Sequence, residues 1–460
     1  MRFDFNQNAN SIDEIRDYVQ EKGELSYFVH SYGCQQNVSD SERICGVFEL
    51  LGLTHTLNME NSDFIIFNTC GVRHTANERV WSHIGALKDL KQSKNVIIGV
   101  CGCMVQQKGI AEQLGVRFPF LDLIFGTNLI HQLPEFLKEV LLERKRVIVT
   151  QATDEIVEKL PIKRGLNIRC LVPVMYGCDN FCSYCVVPYV RGKERSRVPE
   201  NVIAEVKKGL QEGFKEILLL GQNVNSYGKG LPSQINFAKL LLAINKLPGE
   251  FRVRFLTSHP KDCSSELVAV VAQSKKICKQ FHLPVQSGSN KVLKLMNRGY
   301  TSEEYLELIA HIREQIPGVT IGSDIIAGFP GETEEDFLET LELIKRVKFD
   351  QLFTFIYSPR EGTRAAQMPD IVPRAEKKVW FKQLLSIQNE VYDEQNSKRI
   401  GEKKVVLPEQ VTESSGKFTL WGKCDGGLGV EFAGTEALLG EFVTIVIETA
   451  TRRNLIGVKI

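Results

Sequence analysis

The chain has 460 residues, of which 43% are hydrophobic and 25% are charged, a balance typical of globular proteins rather than of disordered or fibrous ones. Its 57 lysines and arginines nearly cancel its 56 aspartates and glutamates, so the net charge of +1 provides neither a basic field for nucleic acid nor an acidic tail. The longest apolar runs are far shorter than the roughly 20 residues of a membrane-spanning helix, which excludes a transmembrane enzyme, and the N-terminus lacks an apolar signal core.

The first third of the chain alternates between predicted strands and predicted helices. Residues 1–24 are polar and without periodicity, and we expect them to form an N-terminal extension. Each later apolar run precedes a helical pattern, which favours an α/β fold with a parallel sheet covered on both faces. The predicted strands span 25–30, 63–68, 95–100 and 121–125, and the predicted helices span about 39–51, 73–92, 105–114 and 129–145. A charged stretch near 150–165 is interpreted as a linker, which limits this domain to residues 25–150.

A second series of strands and helices follows the linker. The apolar runs of this series lie at 171–175, 216–220, 251–256, 280–284, 319–326 and 349–356. The segments between them are long enough for a helix and its loops, so they predict a partial or complete (β/α) barrel over residues 164–395. A long charged helix at about 373–396 closes this domain. Residues 396–460 change to short alternating segments with glycine-rich turns, a pattern that predicts a small antiparallel β-barrel.

Three cysteines stand close together directly after the first strand of the second series. We expect a cytoplasmic chain, in which cysteines stay reduced and act as metal ligands or buried thiols. Cys178, Cys182 and Cys185, here called the loop cysteines, have the spacing Cys-x3-Cys-x2-Cys. A structural zinc site needs four protein ligands, and Cys170 is the candidate for the fourth. Three thiolates suit a 4Fe-4S cluster whose open iron can bind a substrate, so iron and sulfur are favoured over zinc.

A second set of cysteines is brought together only by the predicted sheet. Cys34, Cys70 and Cys103, here called the sheet cysteines, each follow a predicted parallel strand, and ligands bind beyond the carboxyl ends of such strands. We therefore expect a second three-thiolate cluster, although buried structural thiols would show the same pattern. Glycines beside all three favour ligation, because they let the backbone approach a bulky inorganic group. Cys101 competes with Cys103, and Cys103 is preferred because it lies later, in the loop.

Polar residues beyond the other predicted barrel strands outline a mouth that faces the loop cysteines. In a (β/α) barrel the chemistry lies at the carboxyl ends of the strands. The members of this set, here called the mouth residues, are Gln222, Asn223, Ser258, His282, Gln286 and Asp324. The basic run 191–197 could hold a phosphate or carboxylate, or could form a solvated face. In the small barrel, basic and acidic residues nearly balance, so charge alone does not identify a polyanion-binding surface.

The motifs around both cysteine sets resemble those of the radical S-adenosylmethionine (SAM) methylthiotransferases, and within that family those of the MiaB type. The similar segments are 32–42, 177–192, 220–228 and 282–289. The sister enzymes usually carry Gly-Cys-Lys-Val-Asn or Gly-Cys-Pro-Lys-Asn at the first cysteine, and Cys34-Gln35 fits neither pattern. Two residues depart from the MiaB pattern: Gln36 stands where Met is common, and Lys193 stands where Arg is common. These departures put only fine substrate contacts in doubt.

The resemblance covers nearly the whole chain and implies its domains and cofactors. Residues 25–150 would form the methylthiotransferase domain with the auxiliary cluster, 164–395 the radical SAM core with its partial barrel, and 396–460 a TRAM domain. The loop cysteines would hold a 4Fe-4S cluster that binds SAM, and the sheet cysteines would hold a second 4Fe-4S cluster that carries sulfur. The mouth residues would form the SAM pocket. No catalytic side chain is expected beyond the cluster ligands.

The implied reaction is radical methylthiolation of carbon 2 of N6-isopentenyladenosine at position 37 of tRNAs. SAM would serve as both methyl donor and radical source. A radical is needed because the hydrogen on carbon 2 is too weakly acidic for a side-chain base to remove. The implied partners are the tRNA anticodon arm, which the TRAM-like barrel would grip, a reductase or flavodoxin-like electron donor, and a sulfur source, with no membrane.

Two alternatives stay open at the level of the sequence. A sister methylthiotransferase that acts on threonylcarbamoyladenosine in tRNA, or on a ribosomal protein, has the same clusters and differs only in its product. A zinc-stapled RNA-binding protein without catalysis would use Cys170 as its fourth ligand and hold zinc rather than iron.

Overall fold

A parallel sheet forms from the first third of the chain, in a computed structural model that describes residues 8–71, 74–151, 155–165, 168–232, 234–414 and 416–460. Its elements, in chain order, are α1 (Ala9–Lys22), β1 (Ser26–Ser31), α2 (Gln35–Leu50), β2 (Thr54–His55), β3 (Phe64–Thr69), α3 (His74–Ala86), α4 (Lys88–Ser93), β4 (Ile97–Gly102), α5 (Ile110–Arg117), β5 (Leu123–Phe125), α6 (Leu133–Leu141) and β6 (Val147–Val149). The strands lie in the order β2-β1-β3-β4-β5-β6, and every neighbouring pair is parallel. Alternate side chains of β3 and β4 enter two separate apolar cores. The doubly covered parallel sheet expected from the sequence is confirmed.

The N-terminal segment contains a helix that the sequence analysis missed. The prediction of a patternless extension over 1–24 is wrong for residues 9–22, because α1 buries Ile12, Ile15 and Val19 in the same apolar core as α6. These three side chains repeat at helical spacing, but polar residues surround them and weaken the periodic signal. Residues 1–7 of the predicted extension lie outside the described residues.

Several predicted boundaries shift in the first sheet. The helix expected near 73–92 is two helices, α3 and α4, which meet at Leu87. The helix expected near 105–114 begins only at Ile110. The strands β2 and β6, of two and three residues, were too short to predict. Residue 73 of the predicted helix and residues 152–154 of the predicted linker lie outside the described residues.

Within the described residues, six strands of the second series form an open parallel barrel. Its elements are β7 (Arg169–Pro173), β8 (Met175–Tyr176), α7 (Val187–Arg191), β9 (Arg195–Ser196), α8 (Pro199–Gln211), β10 (Glu216–Leu220), α9 (Phe237–Asn245), β11 (Arg252–Leu256), α10 (Ser265–Gln273), β12 (Gln280–His282), α11 (Asn290–Leu295), α12 (Ser302–Gln315), β13 (Thr320–Ala327), α13 (Glu334–Val347), β14 (Gln351–Ile356) and α14 (Arg374–Ser397). The strands pair as β7-β10-β11 and as β12-β13-β14, and a bridge between Val253 and Ile277 joins the two sheets. In the described part of the chain β7 and β14 do not pair, which confirms the partial barrel.

The helices pack on the convex side of the barrel, and α2 of the first sheet covers part of its concave side. Val38 of α2 lies against Leu171, Leu218 and Leu220 on the concave side, next to β7. The edge at β14 has no such cover among the described residues. None of the helices in the described ranges combines the length and apolar character that crossing a membrane requires.

The C-terminal strands form a small closed barrel. They are β15 (Lys403–Ser414), β16 (Lys417–Cys424), β17 (Gly429–Ala433), β18 (Val443–Ala450) and β19 (Asn454–Lys459). The strands close in the order β15-β16-β17-β19-β18, so a small barrel is confirmed. The expectation of a wholly antiparallel barrel is wrong at one pair, because β18 intervenes in the chain and β17 and β19 then run in the same direction. The limits of the three domains, at 25–150, 164–395 and 396–460, remain predictions.

A buried glutamate and three arginines join the small barrel to the amino ends of the core strands. Glu216 pairs with Arg169 at 2.7 Å, with Arg254 at 3.4 Å and with Arg252. Arg252 and Arg254 also donate to main-chain carbonyl groups at the end of β16, each at 2.8 Å. Burial raises the pKa of Glu216, but the guanidinium groups of Arg254, Arg252 and Arg169 outweigh it and lower the pKa to about 2. The small barrel therefore lies at the opposite end of the strands from the cysteines.

We expect Glu216→Gln to reduce the free energy of unfolding by about 3–5 kcal/mol, because it leaves three buried arginines without their counter-ion. Since the folded state lowers the pKa of this carboxyl from 4.5, its stabilising contribution is present above about pH 4.5 and is lost as the pH falls toward 2. Chemical denaturation followed by circular dichroism at pH 7 and pH 3 measures both effects.

The matched control for this substitution is Glu441→Gln, which removes an exposed ion pair between Lys215 and the small barrel at the same interface. Exposed pairs contribute about 0–1 kcal/mol. A loss for Glu216→Gln no larger than that of Glu441→Gln would contradict the buried cluster's role.

Candidate active site

The sheet cysteines meet at the carboxyl edge of the first sheet. Cys70 and Cys103 directly follow β3 and β4, and Cys34 caps the start of α2. The Cys34 thiol donates to the side-chain oxygen of Asn37 at 3.4 Å, and the Cys103 thiol approaches the same oxygen at 3.9 Å. A Cβ placed on Gly33 would lie 2.7 Å from the Cys70 sulfur. The structure thus brings together three thiols that are separated by more than 30 residues each in the sequence.

The close approach of these loops depends on two glycines. Gly33 and Gly102 have φ angles of +111° and +105°, a region that residues with a side chain rarely adopt. A Cβ on Gly102 would also lie 2.3 Å from the carbonyl oxygen of Thr69. Any larger residue at these positions would push the loops that carry the sheet cysteines apart.

Cys101 and Cys103, of which the sequence analysis preferred Cys103 as a ligand, occupy different environments. Cys101 still belongs to β4, and its side chain is buried in the apolar core that includes Phe64 and Phe125. Cys103 lies beyond the strand and packs against Val186 and Val190, which lie within five residues after Cys185. Of these two cysteines, Cys103 is therefore the one that faces the segment of the loop cysteines.

The loop cysteines follow β8, and one of them contacts a buried cation. The main-chain NH of Cys185 donates to the carbonyl oxygen of Cys182 at 2.9 Å, which tightens the loop. The Arg298 guanidinium donates to the Cys182 sulfur at 3.3 Å and to the Pro284 carbonyl oxygen at 2.5 Å. Burial raises the pKa of the Cys185 thiol to about 12, and Arg298 opposes this shift. A buried positive charge beside these sulfurs favours their thiolate forms.

One arginine reaches from the segment after the loop cysteines into the site of the sheet cysteines. Arg191 ends α7 and is 4% exposed. Its guanidinium donates to Asn37 at 3.1 Å and to Asp40 at 2.8 Å. Burial raises the pKa of the Cys103 thiol to about 12, and Arg191 opposes that shift too. The two cysteine sets therefore lie side by side, with a buried cation next to each of them.

Arg197 of the basic run 191–197 is also buried in ion pairs, whereas Lys193 of the same run is exposed. Glu205 of α8 pairs with Arg197 at 2.8 Å, with Arg43 of α2 at 3.1 Å and with Arg164 at 3.3 Å. Burial raises the pKa of Glu205, but the three guanidinium groups prevail and lower it to about 2. This cluster ties α2, and with it the first sheet, to the barrel.

Gln222 and Asn223 of the mouth residues position the loops around the site. The main-chain NH of Gly177, directly before the loop cysteines, donates to the Gln222 side chain at 2.6 Å. Asn223 is buried, donates to Asp262 at 2.6 Å and accepts from the main chain of His259 at 3.1 Å. Both amides are engaged by the protein itself.

The other mouth residues lie on or near the concave side of the barrel. His282 and Asp324 pair at 3.3 Å, and Asp324 lies within β13 rather than beyond its end, where the sequence analysis expected it. The side-chain oxygens of Ser258 and Gln286 are buried and have no hydrogen-bond partner in the described part of the chain. Such orphaned polar atoms are rare in proteins and fit a polar ligand such as SAM.

The side chains that the sequence analysis missed are Asn37, Asp40 and Arg298. A buried arginine is unexpected from composition because charged residues are usually exposed, and Arg298 lies 116 residues from the cysteine that it contacts. The turn at Asn297 and Gly299, both with positive φ, was visible as a turn signal but not as a charge aimed at the site.

The position of Cys170 does not support the zinc alternative for the loop cysteines. Cys170, the proposed fourth zinc ligand, lies in β7 and packs against the helix α8, where a Cβ on Gly209 would lie 2.4 Å from its sulfur. It therefore points to the convex side, away from the loop cysteines. Among the residues that the structure describes, no three His, Cys, Asp or Glu side chains are arranged to hold a single metal ion.

An open parallel barrel with three clustered cysteines after its first strand is typical of radical SAM enzymes, and the Radical SAM superfamily matches residues 172–344. The Uncharacterized protein family UPF0004 matches residues 26–126. A solved structure of the radical SAM methyltransferase TsrM from Kitasatospora setae shares the fold, with a TM-score of 0.55 and 14% identity over 75% of this chain and 77% of that chain. This chain therefore carries a radical SAM domain, which confirms the predicted class and its SAM and 4Fe-4S cofactors.

Closer relatives define the family. The chain is 48% identical to a tRNA-2-methylthio-N(6)-dimethylallyladenosine synthase from Thermoanaerobacter pseudethanolicus, over 93% of this chain and 91% of that protein. It is 45% identical to a synthase of the same name from Caldicellulosiruptor saccharolyticus, over 99% of this chain and 98% of that protein. The chain belongs to the family of the tRNA-2-methylthio-N(6)-dimethylallyladenosine synthases, and the resemblance of its motifs to the MiaB type is confirmed.

Cys101 in β4 and Cys103 just beyond that strand provide a test of the sheet site. We expect Cys103→Ala to reduce the iron content after anaerobic reconstitution from about eight to about four per chain, because one of two 4Fe-4S clusters loses a ligand. Cys101→Ala, a matched control two residues away, should keep about eight irons. Equal iron content in the two variants, measured by a colorimetric iron assay, would contradict the assignment of Cys103.

Proposed function

We propose that this chain catalyses radical methylthiolation of carbon 2 of N6-isopentenyladenosine at position 37 of tRNAs, with SAM as methyl donor and radical source. The observation that carries the proposal is the position of the two cysteine sets side by side, in a chain that is 45–48% identical to synthases of this name over more than nine-tenths of its length. A single cluster would serve SAM cleavage alone, whereas sulfur insertion requires a second group next to it.

The six cysteines would hold the two clusters, the loop cysteines one with SAM and the sheet cysteines the other. When bound, these groups supply the radical that removes the hydrogen from carbon 2 and the sulfur that takes its place. Arg298 and Arg191 lie beside the two thiol sets and offset their negative charge. Ser258 and Gln286 offer buried polar atoms to SAM, and the pair of His282 and Asp324 lines the approach.

Beside the ion pair of Arg191 and Asp40, part of the contact between the two sites is apolar, which suits radical chemistry. Cys103, Val186 and Val190 pack together between the cysteine sets and are buried from solvent. A closed apolar contact excludes water from the space where a reactive intermediate would otherwise be quenched. The side chains here bind, orient and shield, and no acid or base among them is required to activate carbon 2.

The remaining parts of the proposal concern partners and domains. The domain limits at 25–150, 164–395 and 396–460 would separate the auxiliary site, the SAM site and a TRAM domain that contacts the tRNA. A reductase or flavodoxin-like protein would supply electrons, and a further sulfur source would restore the auxiliary site after each turnover. We expect the reaction to take place in the cytoplasm.

Two cysteine substitutions separate the two halves of the reaction. We expect Cys182→Ala to reduce 5′-deoxyadenosine formation to background, since SAM has no cluster to bind. Cys70→Ala should keep SAM cleavage measurable and reduce methylthiolated nucleoside to background. Mass spectrometry of both products, from anaerobically reconstituted enzyme and an RNA that carries isopentenyladenosine, measures the two steps together.

The control for these variants is Cys263→Ala, which removes a partly buried thiol on the convex side of the barrel and should leave both products unchanged. Continued methylthiolation by Cys70→Ala would refute the auxiliary site. Activity on threonylcarbamoyladenosine instead of isopentenyladenosine would assign the chain to a sister subfamily.

A further inference from the structure

The positions of the small barrel and of the cysteines raise a geometric question about the RNA. The small barrel docks on the amino ends of the core strands, where Thr320 donates to the Gly426 carbonyl oxygen at 2.5 Å and Gln351 to that of Gly427 at 2.7 Å. The cysteines lie beyond the carboxyl ends. An RNA that contacts both must run along the strands, and this inference rests on the proposed function.

The strand β14 spans this gap at the open edge of the barrel. Its six residues extend over about 20 Å, from Gln351 at the small barrel toward the loop that contains Arg360. In the segment that follows β14, the main-chain NH of Ala365 donates to the carbonyl oxygen of Ser183 at 2.8 Å, so this segment lies beside the loop cysteines. β14 therefore leads from the small barrel to the reaction site.

Two aromatic side chains stand exposed on the concave side of this strand. Phe353 and Phe355 are 54% and 47% exposed. Leu352 points to the opposite side of the strand, where it is buried against the helices. Phe353 is in register with Asp324 on β13, and its ring contacts His282 edge-on at 5.8 Å. Both rings thus belong to the concave side that carries the mouth residues. Exposed aromatic rings in a row are typical of surfaces that stack bases of single-stranded nucleic acid.

A cation lies at the small-barrel end of the same surface. A cavity of about 190 Å³ opens between β14, α14 and the small barrel, and its lining includes Phe353, Arg452 and Arg453. Arg452 pairs with Asp393 at 3.0 Å. Within the described residues, the Arg453 guanidinium has no hydrogen bond or ion pair, so it is available to a phosphate.

The free edge of β14 is less suited to an added protein strand. At Leu352, the main-chain NH donates to the Tyr392 hydroxyl at 2.8 Å, and that hydroxyl donates back to the Leu352 carbonyl oxygen at 3.3 Å. A peptide that extended the sheet would have to displace this pair. The exposed concave rings, rather than the edge, are the accessible feature of this strand.

We propose that β14 is a track for single-stranded RNA, along which the loop of the tRNA substrate passes from the small barrel to the cysteines. Bases of the loop stack on Phe353 and Phe355, and Arg453 contacts a backbone phosphate. Stacking on phenyl rings does not distinguish bases by hydrogen bonding, so the track orients the RNA while the reaction site selects the adenosine.

The test measures how tightly the reconstituted full-length enzyme binds a synthetic anticodon stem-loop RNA that carries isopentenyladenosine. We expect Phe353→Leu and Phe355→Leu each to weaken binding about tenfold in a fluorescence anisotropy titration, since each removes one stacking ring. Phe353→Trp and Phe355→Trp should retain binding, because indole stacks at least as well. Arg453→Gln should lower the slope of log affinity against log salt by about one.

The control is Leu338→Ala on the outer helix α13, which removes an apolar side chain of similar exposure, 53%, and should not change RNA binding. Iron content and thermal midpoint show that every variant is folded and loaded.

Leucine variants that bind RNA like the wild type would overturn the track and leave the proposed function intact. If the leucine variants instead abolish self-association in sedimentation experiments, a second copy of the chain occupies β14 and the proposal is wrong. A wild-type enzyme that does not bind the stem-loop would overturn the proposed function as well.

Discussion

The active site depends on buried ion pairs that hold two parallel sheets with their carboxyl ends together. Arg191 joins Asp40 across the two cysteine sets, and Glu205 joins Arg43 on the next turn of α2. Buried ion pairs of this kind add little net stability over apolar contacts, because burying both charges costs about as much as their attraction provides. Their effect is geometric: if either sheet slid, a charge would remain buried without its partner.

The helix α2 both positions the sheet cysteines and packs against the barrel. Nearly all of its polar residues are buried, although its sequence resembles an exposed helix by composition. Its first turn follows Cys34 and carries Asn37 beside two sheet cysteines, and Val38 of the same turn packs into the barrel. One short segment thus sets the distance between the cysteine sets and closes the barrel beside β7. The opposite side, at β14, is left open, which is where a large substrate has access.

The amino ends of the barrel strands have a different structural role. Glu216 and its arginines bind the small barrel there, about one strand length away from the chemistry. A β-barrel placed so far from the cysteines cannot itself contact the reacting base. Under the proposed function, it would anchor the RNA while the loop extends along the core, which would separate anchoring from catalysis in space.

The sequence predicted those parts of the structure that have a local signal. The six core strands were located to within a few residues because buried parallel strands appear as continuous apolar runs. The loop cysteines lie within one short segment, so their spacing alone singles them out as candidate ligands. The sheet cysteines required the strand order as well. The partners of Asn37, Arg191 and Arg298 could not be predicted, because Arg191 lies 154 residues from Asn37 and Arg298 116 residues from Cys182. The helix α1 was missed because three aliphatic residues carry its only periodic signal.

The central claim is that one chain joins a SAM site and a sulfur site to modify an adenosine in tRNA. Mass spectrometry of nucleosides from total tRNA, in cells with and without the gene, tests it most directly. The account predicts that 2-methylthio-isopentenyladenosine disappears without the gene while isopentenyladenosine accumulates. Unchanged amounts of both nucleosides, with a different 2-methylthio nucleoside missing instead, would contradict the substrate assignment.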